Sequence, residues 1–392
     1  MTSNNKHILI VAAEFPPCGG GGVGRPYAIA KYLAENGWNV HVITSFINNY
    51  YVENPSYDIN IPNLTITRVY SPSILLFRLY TRRFLPSFTP YDRYSLWSVL
   101  AKFVAIKLHK KHAFDVVFST YPSIFNHDVA LKLQKEFSMP WVADYRDPLP
   151  WMYSKVTKSN KIYTDIFANA SAITVTSERI QALMKNHVVQ RLKNKIHIIH
   201  NGSDELASTI ETTPSSTSPF TIVHTGSFYE EGRDINDLIR ALILLNNKDI
   251  KLIFVGDKPY GNTLTLIAEN GLENSVTFID YMPSNEAIML SATANALVVI
   301  QGEKFENQIP GKVFEYMAMQ KPILIITNKD SATDTVTRTN PNSIFASYGD
   351  TNAIVQGLEK IITMNITTID RRLYSKEKMA SKVTKVLASV CN

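Results

Sequence analysis

The segment HILIVAAEFPPCGGGGVGRPYAIAKYLAENG, residues 7–37, contains the pattern that decides the fold. It begins with an apolar run typical of a buried strand, passes through a glycine-rich loop, and ends in a helical pattern that stops at Gly37. Continuous apolar strands that alternate with helices are typical of parallel sheets covered on both faces. The segment therefore predicts an α/β fold, and it raises the question of what the glycine loop binds.

The same alternation continues in two blocks. Strand-like runs cover 7–13, 39–45, 64–70, 115–120, 140–146, 172–177 and 196–202, then 220–226, 250–256, 276–281, 296–301, 322–327 and 343–347. Helical patterns cover 24–37, 95–112, 126–138, 178–187, 234–246, 261–270, 284–293, 311–320 and 351–363. We therefore predict two doubly wound Rossmann-like domains facing across a cleft, residues 1–203 and 220–368. A Ser-, Thr- and Pro-rich linker, 204–219, joins them, and 369–392 predicts a closing helix that packs back toward the N-terminal domain.

Composition indicates a globular protein. Of the 392 residues, 45% are apolar and 19% charged, and the net charge of +6 suits anionic ligands or an anionic membrane surface without indicating nucleic acid. Two cysteines, Cys18 and Cys391, cannot build a disulfide framework. We find no signal-peptide pattern and no apolar run long enough to span a membrane, so we expect a cytoplasmic protein.

The glycines have two readings. Gly19, Gly21 and Gly24 match G-x-G-x-x-G, the dinucleotide fingerprint, but five residues separate the strand from the first glycine, and the second strand ends without an acid. NAD binding is therefore the weaker interpretation. A flexible surface loop is the plain alternative. The flanking prolines and the position at the end of a strand favour a loop that approaches a ligand, with Gly21 and Gly22 as main-chain contacts.

The stretch NQIPGKVFEYMAMQKPILI, 307–325, is the most informative of the second block. A Pro-Gly turn opens a helix whose start suits a diphosphate, which predicts contacts from Gly311, Lys312 and Val313. Glu315, one turn further, is placed to accept hydrogen bonds from a ribose. The alternative is an early acid that only complements the helix dipole.

Several stretches resemble, in matching order over nearly the whole chain, the motifs of family 4 retaining glycosyltransferases with the GT-B fold. They are PPCGGGGVGRPYAIAKYLAENGWNVHVIT, SIFNHDVALKLQKEFSMPWVADYRDP, IIHNGSD, HTGSFYEEGRDINDLIRAL, VTFIDYMPSNEAIMLSATANALVVI and the PGK-x-FEY helix. The resemblance implies transfer of a sugar from a UDP-, GDP- or dTDP-linked donor to a saccharide acceptor.

The resemblance also implies roles for individual residues of the second domain. Glu315 matches the second glutamate of the family's E-x7-E motif, which holds the ribose, and Asn307 stands where the first glutamate is expected. Lys312 and Arg233 would neutralise the departing diphosphate, while Ser227 replaces the first member of the family's basic pair. Tyr281 and Met282 lie where the loop backbone meets the base. Asn307 leaves the identity of the donor sugar open.

In the first domain the resemblance places His127 near the donor sugar. Asp144, Arg146 and Asp147 lie at the carboxyl end of a strand, with Asp147 as a catalytic candidate and the other two on the acceptor side. Each has a simpler alternative: His127 as a helix-start residue bonded to backbone, and Arg146 with Asp147 as a structural ion pair. Arg233 has one as well, a solvated charge.

Metal and cofactor are not expected. The sequence contains no D-x-D motif, so lysine, arginine and helix dipoles would serve as the electrophilic clamp, and activity without added divalent metal is predicted.

Residues 71–97 interleave aromatic and aliphatic side chains with arginines that include Arg82 and Arg83. This composition suits contact with anionic lipid head groups and predicts a peripheral membrane enzyme that acts on a lipid-linked saccharide in cell-surface polysaccharide assembly. A helical hairpin packed on the first domain is the alternative.

Three other functions stay open. A 2-epimerase of the same fold would bind a nucleotide sugar without transferring it. A degenerate scaffold subunit is suggested by Asn307 and Ser227, and a dehydrogenase would bind NADH.

Overall fold

The structure is a computed structural model that describes residues 6–46, 53–54, 57–71, 94–148, 161–186, 188, 190–211, 219–229, 231–256, 258–259 and 261–391. The chain divides into two compact units. The first comprises residues 1–200 together with 379–392, and the second comprises residues 201–378. The last residues of the chain thus belong to the first unit.

The first unit alternates strands and helices. Its strands are β1 (His7–Val11), β2 (Asn39–Ser45), β3 (Leu64–Val69), β4 (Val116–Thr120), β5 (Trp141–Tyr145), β6 (Ala172–Val175) and β7 (Ile196–Ile198). Its helices are α1 (Gly24–Glu35), α2 (Ser95–His112), α3 (Ile124–Phe137), α4 (Lys161–Asn169), α5 (Glu178–Lys185) and α6 (Gln190–Lys193).

These strands form one parallel sheet in the order β3-β2-β1-β4-β5-β6-β7. Side chains of β1 alternate between two buried clusters: Leu9 and Val11 pack on one face, and Ile8 and Ile10 on the other. Because both faces are covered, the strand is apolar throughout. The strand order reverses between β1 and β4, because α1, which follows β1, packs on one face of the sheet and α3, which follows β4, packs on the other.

The second unit repeats this plan. Its strands are β8 (Phe220–Thr225), β9 (Ile250–Val255), β10 (Val276–Ile279), β11 (Ala296–Gln301), β12 (Ile323–Thr327) and β13 (Ser343–Ser347). Its helices are α7 (Glu205–Thr209), α8 (Asn236–Leu245), α9 (Thr263–Glu269), α10 (Ser284–Thr293), α11 (Gly311–Ala318), α12 (Ala332–Thr337) and α13 (Thr351–Ile362). The parallel sheet has the order β10-β9-β8-β11-β12-β13, with its reversal between β8 and β11. The predicted fold class, two doubly wound Rossmann-like domains, is confirmed.

Some details differ from the sequence prediction. The predicted linker 204–219 begins with α7, whose Ala207 is buried in the second unit's core. Helix α12 was not predicted because its ATDTVT sequence is rich in β-branched residues, and the Ser331 hydroxyl stabilises it by accepting from the Asp334 amide.

The closing segment is also subdivided. A 3-10 turn, Arg371–Tyr374, precedes α14 (Lys376–Val390). Met379, Ala380, Val383, Val386 and Leu387 of α14 are buried in the first unit's core. Among the described helices, none is long and apolar enough to cross a membrane.

We expect Leu387→Ala to lower the free energy of unfolding of the first unit by about 2–5 kcal/mol, because it leaves a cavity in the core. All four tryptophans lie between residues 38 and 151, so tryptophan fluorescence during urea unfolding follows this unit. Val99→Ala, at a side chain 48% exposed in α2 of the same unit, is the control and should change stability little. Unchanged unfolding of Leu387→Ala would show that α14 is not part of this core.

Candidate functional site

The second unit places a lysine against the carboxyl end of β8. Lys312, in the first turn of α11, donates from its Nζ to the Thr225 carbonyl, and the same Nζ lies 3.1 Å from Nε2 of His224. A Cβ at Gly226 would lie 2.6 Å from this Nζ, and the φ of Gly226 is +124°. Only glycine therefore allows the ammonium to approach this turn so closely.

His224 fixes the orientation of that contact. Its Nδ1 lies 2.9 Å from the Val298 carbonyl oxygen, which can only accept, so Nδ1 carries the proton and Nε2 accepts from Lys312. Burial, followed by the charge of Lys312, holds the pKa of His224 well below its usual range. The imidazole is therefore a neutral acceptor at physiological pH. His224 was not predicted to be a site residue, because in the sequence it is one position of a predicted strand.

The surroundings of Lys312 disfavour the charged form of its side chain. Burial and then the charge of Arg233 lower the pKa of Lys312 to about 7, while Glu315 acts in the opposite direction. A ligand that brings negative charge to this place would raise this pKa and stabilise the charged form. The geometry thus suits an anion.

Arg233 lies on an aromatic platform. The guanidinium carbon is 4.2 Å from the ring centroid of Phe305 and 5.2 Å from that of Tyr229. The Gly302 amide donates to the Gly232 carbonyl at 2.7 Å, which joins the loops that carry the two rings. Such stacking orients a planar guanidinium. Neither ring was predicted to take part.

A buried glutamine holds the loop that leads to α11. Gln301, at the end of β11, donates from Nε2 to the carbonyls of Phe305 and Gln308 at 2.8 and 3.1 Å. Thr333 donates to the Gln301 side-chain oxygen. This loop contains Asn307, which is buried, and the Gln301 side chain bonds the loop on both sides of it.

The remaining residues that were predicted to bind the donor differ in how exposed they are. Gly311 is exposed at the first position of α11, whereas the Val313 side chain is buried, so only its main chain is available there. Ser227 is half-buried directly after Gly226. Tyr281 is 64% exposed in the loop after β10, and Met282 next to it is half-buried.

Glu315 lies one turn after Lys312 on α11 and is half-buried. Burial, and then the nearby carboxylate of Asp204, raise the pKa of Glu315 to about 7, while Lys376 and Lys312 oppose this shift. The structure thus brings Lys312, Arg233 and Glu315 together, and it adds Asp204 to the group.

In the first unit the prediction for Asp144 is wrong. Its carboxylate is fully buried and forms an ion pair with Arg25 at 2.8 Å. It also accepts from Thr120 at 2.8 Å and from Thr174 at 2.6 Å, and these contacts hold its pKa below the usual value despite burial. Arg25 donates further to the carbonyl of Ile199 at 3.0 Å. Asp144 on β5 thus joins α1 to β4 and β6, and its carboxylate is not available to an acceptor.

His127 is likewise a core residue, contrary to the prediction. Its Nδ1 is hydrogen-bonded to the Ser119 hydroxyl at 2.7 Å, and the same hydroxyl accepts from Trp141 Nε1 at 2.7 Å. The ring packs against Tyr145 with centroids 4.5 Å apart. Burial lowers the pKa of His127 to about 3. The neutral ring is fully buried, in contrast to the predicted position beside a donor sugar.

Arg146 lies where the glycine loop folds back. Its guanidinium donates to the carbonyls of Gly22 and Tyr121. A Cβ at Gly22 would lie 3.1 Å from the Glu14 carboxylate and 3.2 Å from the guanidinium. Together with Ser123 and Asn126 they line a small pocket. Arg146 therefore shapes this loop, which the sequence could not reveal.

The neighbours of that pocket are also defined. Asp147 is half-buried, and its charge raises the pKa of Arg146 against the larger effect of burial. Gly21 is exposed. Arg82 and Arg83, and most of the segment 71–97, lie outside the described residues.

Two family models match the sequence. The model described as "Glycosyltransferase Family 4" matches residues 19–205, and the model described as "Glycosyl transferases group 1" matches residues 219–364. Together they cover most of both units. No curated protein matches the chain.

Solved structures share the fold at low identity. Anabaena Alr3699/HepE in complex with UDP and glucose has a TM-score of 0.65 at 15% identity, covering 97% of this chain and 99% of that one. The lipopolysaccharide outer core galactosyltransferase WaaB has a TM-score of 0.63 at 13% identity, covering 98% and 99%. The UDP-GlcNAc 2-epimerase from Methanocaldococcus jannaschii has a TM-score of 0.54 at 12% identity, covering 98% and 99%. The fold is thus shared by transferases and epimerases and does not decide between these activities. Both family models that match the chain describe glycosyltransferases.

We expect Asp144→Asn to lower the free energy of unfolding by about 3–5 kcal/mol, because Arg25 stays buried without its anionic partner. Tryptophan fluorescence during urea unfolding measures the loss. Lys31→Ala, which removes an exposed ion pair with Glu35, is the matched control and should cost little. If Asp144→Asn were as stable as wild type, the buried ion pair would not be important for stability, and the predicted acceptor-side role of Asp144 would be supported instead.

Proposed function

The chain belongs to the group 1, family 4 glycosyltransferases, and from that premise we propose that it moves a sugar from a nucleotide-sugar donor to a saccharide acceptor with retention of configuration. The observation that carries the proposal is the cation cluster at the start of α11. The charge of the stacked Arg233 lowers the pKa of Lys312 beside a helix N-terminus, and a bound diphosphate would relieve this repulsion.

The proposed step places charge where these groups can stabilise it. The bond between the anomeric carbon and the diphosphate oxygen breaks, and the negative charge that develops on the diphosphate is balanced by Lys312 and Arg233. This clamp supports transfer without a divalent metal. The complex of Alr3699/HepE with UDP and glucose supports a nucleotide of this kind as donor.

Retention is proposed to follow from attack on the same face. The acceptor oxygen bonds to the anomeric carbon on the side from which the diphosphate leaves, and the acceptor's proton passes to the departing phosphate oxygen. No carboxylate nucleophile is then needed. Glu315 would meanwhile hold the ribose by accepting from its hydroxyls.

The acceptor is proposed to be lipid-linked. Helix α2 exposes Leu96, Val99, Leu100 and Phe103 along one face, with Phe103 69% exposed. The same face continues into Lys107, Lys110 and Lys111, all exposed. An apolar stripe that ends in lysines fits a surface of anionic lipid. The fold of the lipopolysaccharide galactosyltransferase WaaB is consistent with an acceptor of the cell surface.

A nucleotide panel tests the donor site. Among UDP, GDP, ADP, dTDP and NADH, we expect one nucleoside diphosphate to raise the melting temperature of wild type, with about 2.7 kcal/mol of stabilisation at a hundred times its Kd. Glu315→Ala and Lys312→Met should each reduce this effect, since they remove the ribose and phosphate partners. Lys304→Met, at an exposed lysine paired with Glu231, is the control and should bind normally.

Two results would count against the donor site. Stabilisation by NADH would favour the dehydrogenase, and nucleotide binding unaffected by Glu315→Ala would remove the basis of the assignment. Incubation of wild type with donor alone separates the epimerase, which would release an epimer without an acceptor.

Vesicle binding tests the membrane contact. We expect wild type to sediment with vesicles that contain phosphatidylglycerol, and the triple change Lys107→Glu, Lys110→Glu and Lys111→Glu to reduce binding more than tenfold, since each lysine contributes about 1 kcal/mol. Phe103→Glu should act in the same direction. Lys382→Glu, on an exposed position of α14, is the control. Equal sedimentation of all variants would overturn this contact.

A further inference from the structure

We infer that Tyr348 is a positioning residue for Arg233, because its hydroxyl group holds Asp234, the next residue in the chain, and thereby sets where the Arg233 guanidinium meets the diphosphate of the donor. The inference rests on the proposed function, since it concerns a cation that would bind that diphosphate. It gives a role to a tyrosine and an aspartate that were not predicted to be site residues.

The main chain that leads into Arg233 is held by two backbone hydrogen bonds. The Arg233 amide donates to the Tyr229 carbonyl at 3.3 Å, and the Gly232 carbonyl accepts from the Gly302 amide at 2.7 Å. Gly302 directly follows β11, so the turn before Arg233 is tied to the sheet. The main chain after Arg233 depends on Asp234.

Asp234 fixes the chain on the other side of Arg233. Its Oδ1 accepts from the amide of Asn236, the first residue of α8, at 3.1 Å, and its Oδ2 accepts from the Tyr348 hydroxyl at 2.5 Å. Burial, and then the hydrogen bond to Asp234, raise the pKa of Tyr348 well above its usual range, so the hydroxyl keeps its proton and donates. A hydroxyl that donates to a carboxylate at this distance forms a strong hydrogen bond. Each carboxylate oxygen of Asp234 thus has a donor of its own.

Tyr348 itself is anchored to the sheet. It follows β13 directly, and its amide donates to the carbonyl of Thr327, the last residue of β12, at 3.1 Å. Its ring lies against Gly302, where a Cβ would come within 2.7 Å of the ring carbon Cε1. This is the same glycine whose amide holds the Gly232 carbonyl. Tyr348 therefore contacts both supports of the Arg233 turn, Asp234 through its hydroxyl and Gly302 through its ring.

The aromatic platform under Arg233 is joined to the same frame. Phe305, whose ring centroid lies 4.2 Å from the guanidinium carbon, belongs to the 3-10 turn Glu303–Phe305 that begins directly after Gly302. An arginine side chain has several rotatable bonds, so its charge is placed only when both its main chain and its stacking partner are fixed. A binding or catalytic group has to be held within about 0.5 Å of its productive position. Tyr348 contributes to that placement without carrying a charge.

Removal of the Tyr348 hydroxyl isolates this role. Tyr348→Phe keeps the ring against Gly302 and leaves every charge of the cation cluster in place, but it releases Asp234 from the end of β13. A loss of diphosphate binding would then arise through the placement of Arg233, and it would require the Arg233 charge. A double-mutant cycle between positions 348 and 233 measures this dependence.

Isothermal calorimetry with UDP, GDP, ADP and dTDP, at one pH and one salt concentration, tests the inference. With the diphosphate that binds wild type, we expect Tyr348→Phe to weaken binding about threefold to tenfold, the size of effect found for coupled neighbours. Arg233→Met, which keeps an apolar chain over Phe305 and removes the charge, should weaken binding at least as much. In the Arg233→Met protein, Tyr348→Phe should change the affinity by less than about twofold.

Two further variants are matched to this test. Thr351→Val removes a hydroxyl that donates to Asp237 of α8 at 3.4 Å, a neighbouring bond to the same helix that does not involve Asp234, so it should bind like wild type. Gly302→Ala puts a methyl group where the Tyr348 ring lies, and it should weaken binding only while the Arg233 charge is present. Thermal unfolding shows whether each variant folds. Gly302→Ala serves as the test if Tyr348→Phe does not fold.

The outcomes separate this inference from the proposed function. If none of the four diphosphates binds wild type, the proposed function fails and the inference with it. If one binds, but Tyr348→Phe matches wild type or weakens binding equally with and without the Arg233 charge, Tyr348 is not a positioning residue and the donor site stands. If Arg233→Met binds like wild type, Arg233 is not a diphosphate ligand, and the inference is overturned while Lys312 and Glu315 remain as donor residues.

Discussion

The structure of the second unit depends on how it holds the ammonium of Lys312 in a place that disfavours its charge. Burial and Arg233 both lower its pKa, so the charge needs the Thr225 carbonyl and the neutral ring of His224 as acceptors. That approach requires Gly226 at the end of β8. The strand order reverses between β8 and β11, and at this place the start of α11 meets the carboxyl end of β8.

The first unit uses the equivalent edge differently. There the buried charges of Arg25 and Asp144 are paired with each other and with two threonines, so the network is satisfied and stabilises the sheet. Arg146 is bonded to the glycine loop. In the first unit these bonds therefore support the glycine loop. In the second unit the charges of Lys312 and Arg233 repel each other, and a bound anion would relieve that repulsion.

The sequence predicted the two sheets because apolar strands and amphipathic helices leave a local periodic pattern. It also predicted that Lys312 and Glu315 lie one turn apart at the start of a helix, since both belong to one short motif. It could not predict that Asp144 pairs with Arg25, because 119 residues separate them and an acid at a strand end looks the same whether it is paired or exposed. His127 failed for a similar reason, since Trp141 and Ser119 surround it only after folding.

Lys312 and Glu315, one turn apart on α11, each lie near a group of like charge. At its start a cation lies near another cation, and one turn later an acid lies near another acid. Each contact is unfavourable in the unliganded protein, and each would be relieved by a different part of a nucleotide: the diphosphate by the cations, the ribose diol by the acid. A ligand with only one of these parts would relieve only one contact. Such a helix would therefore bind a nucleoside diphosphate more tightly than free diphosphate or a free nucleoside. The four side chains responsible, all in the second unit, are Lys312, Arg233, Glu315 and Asp204.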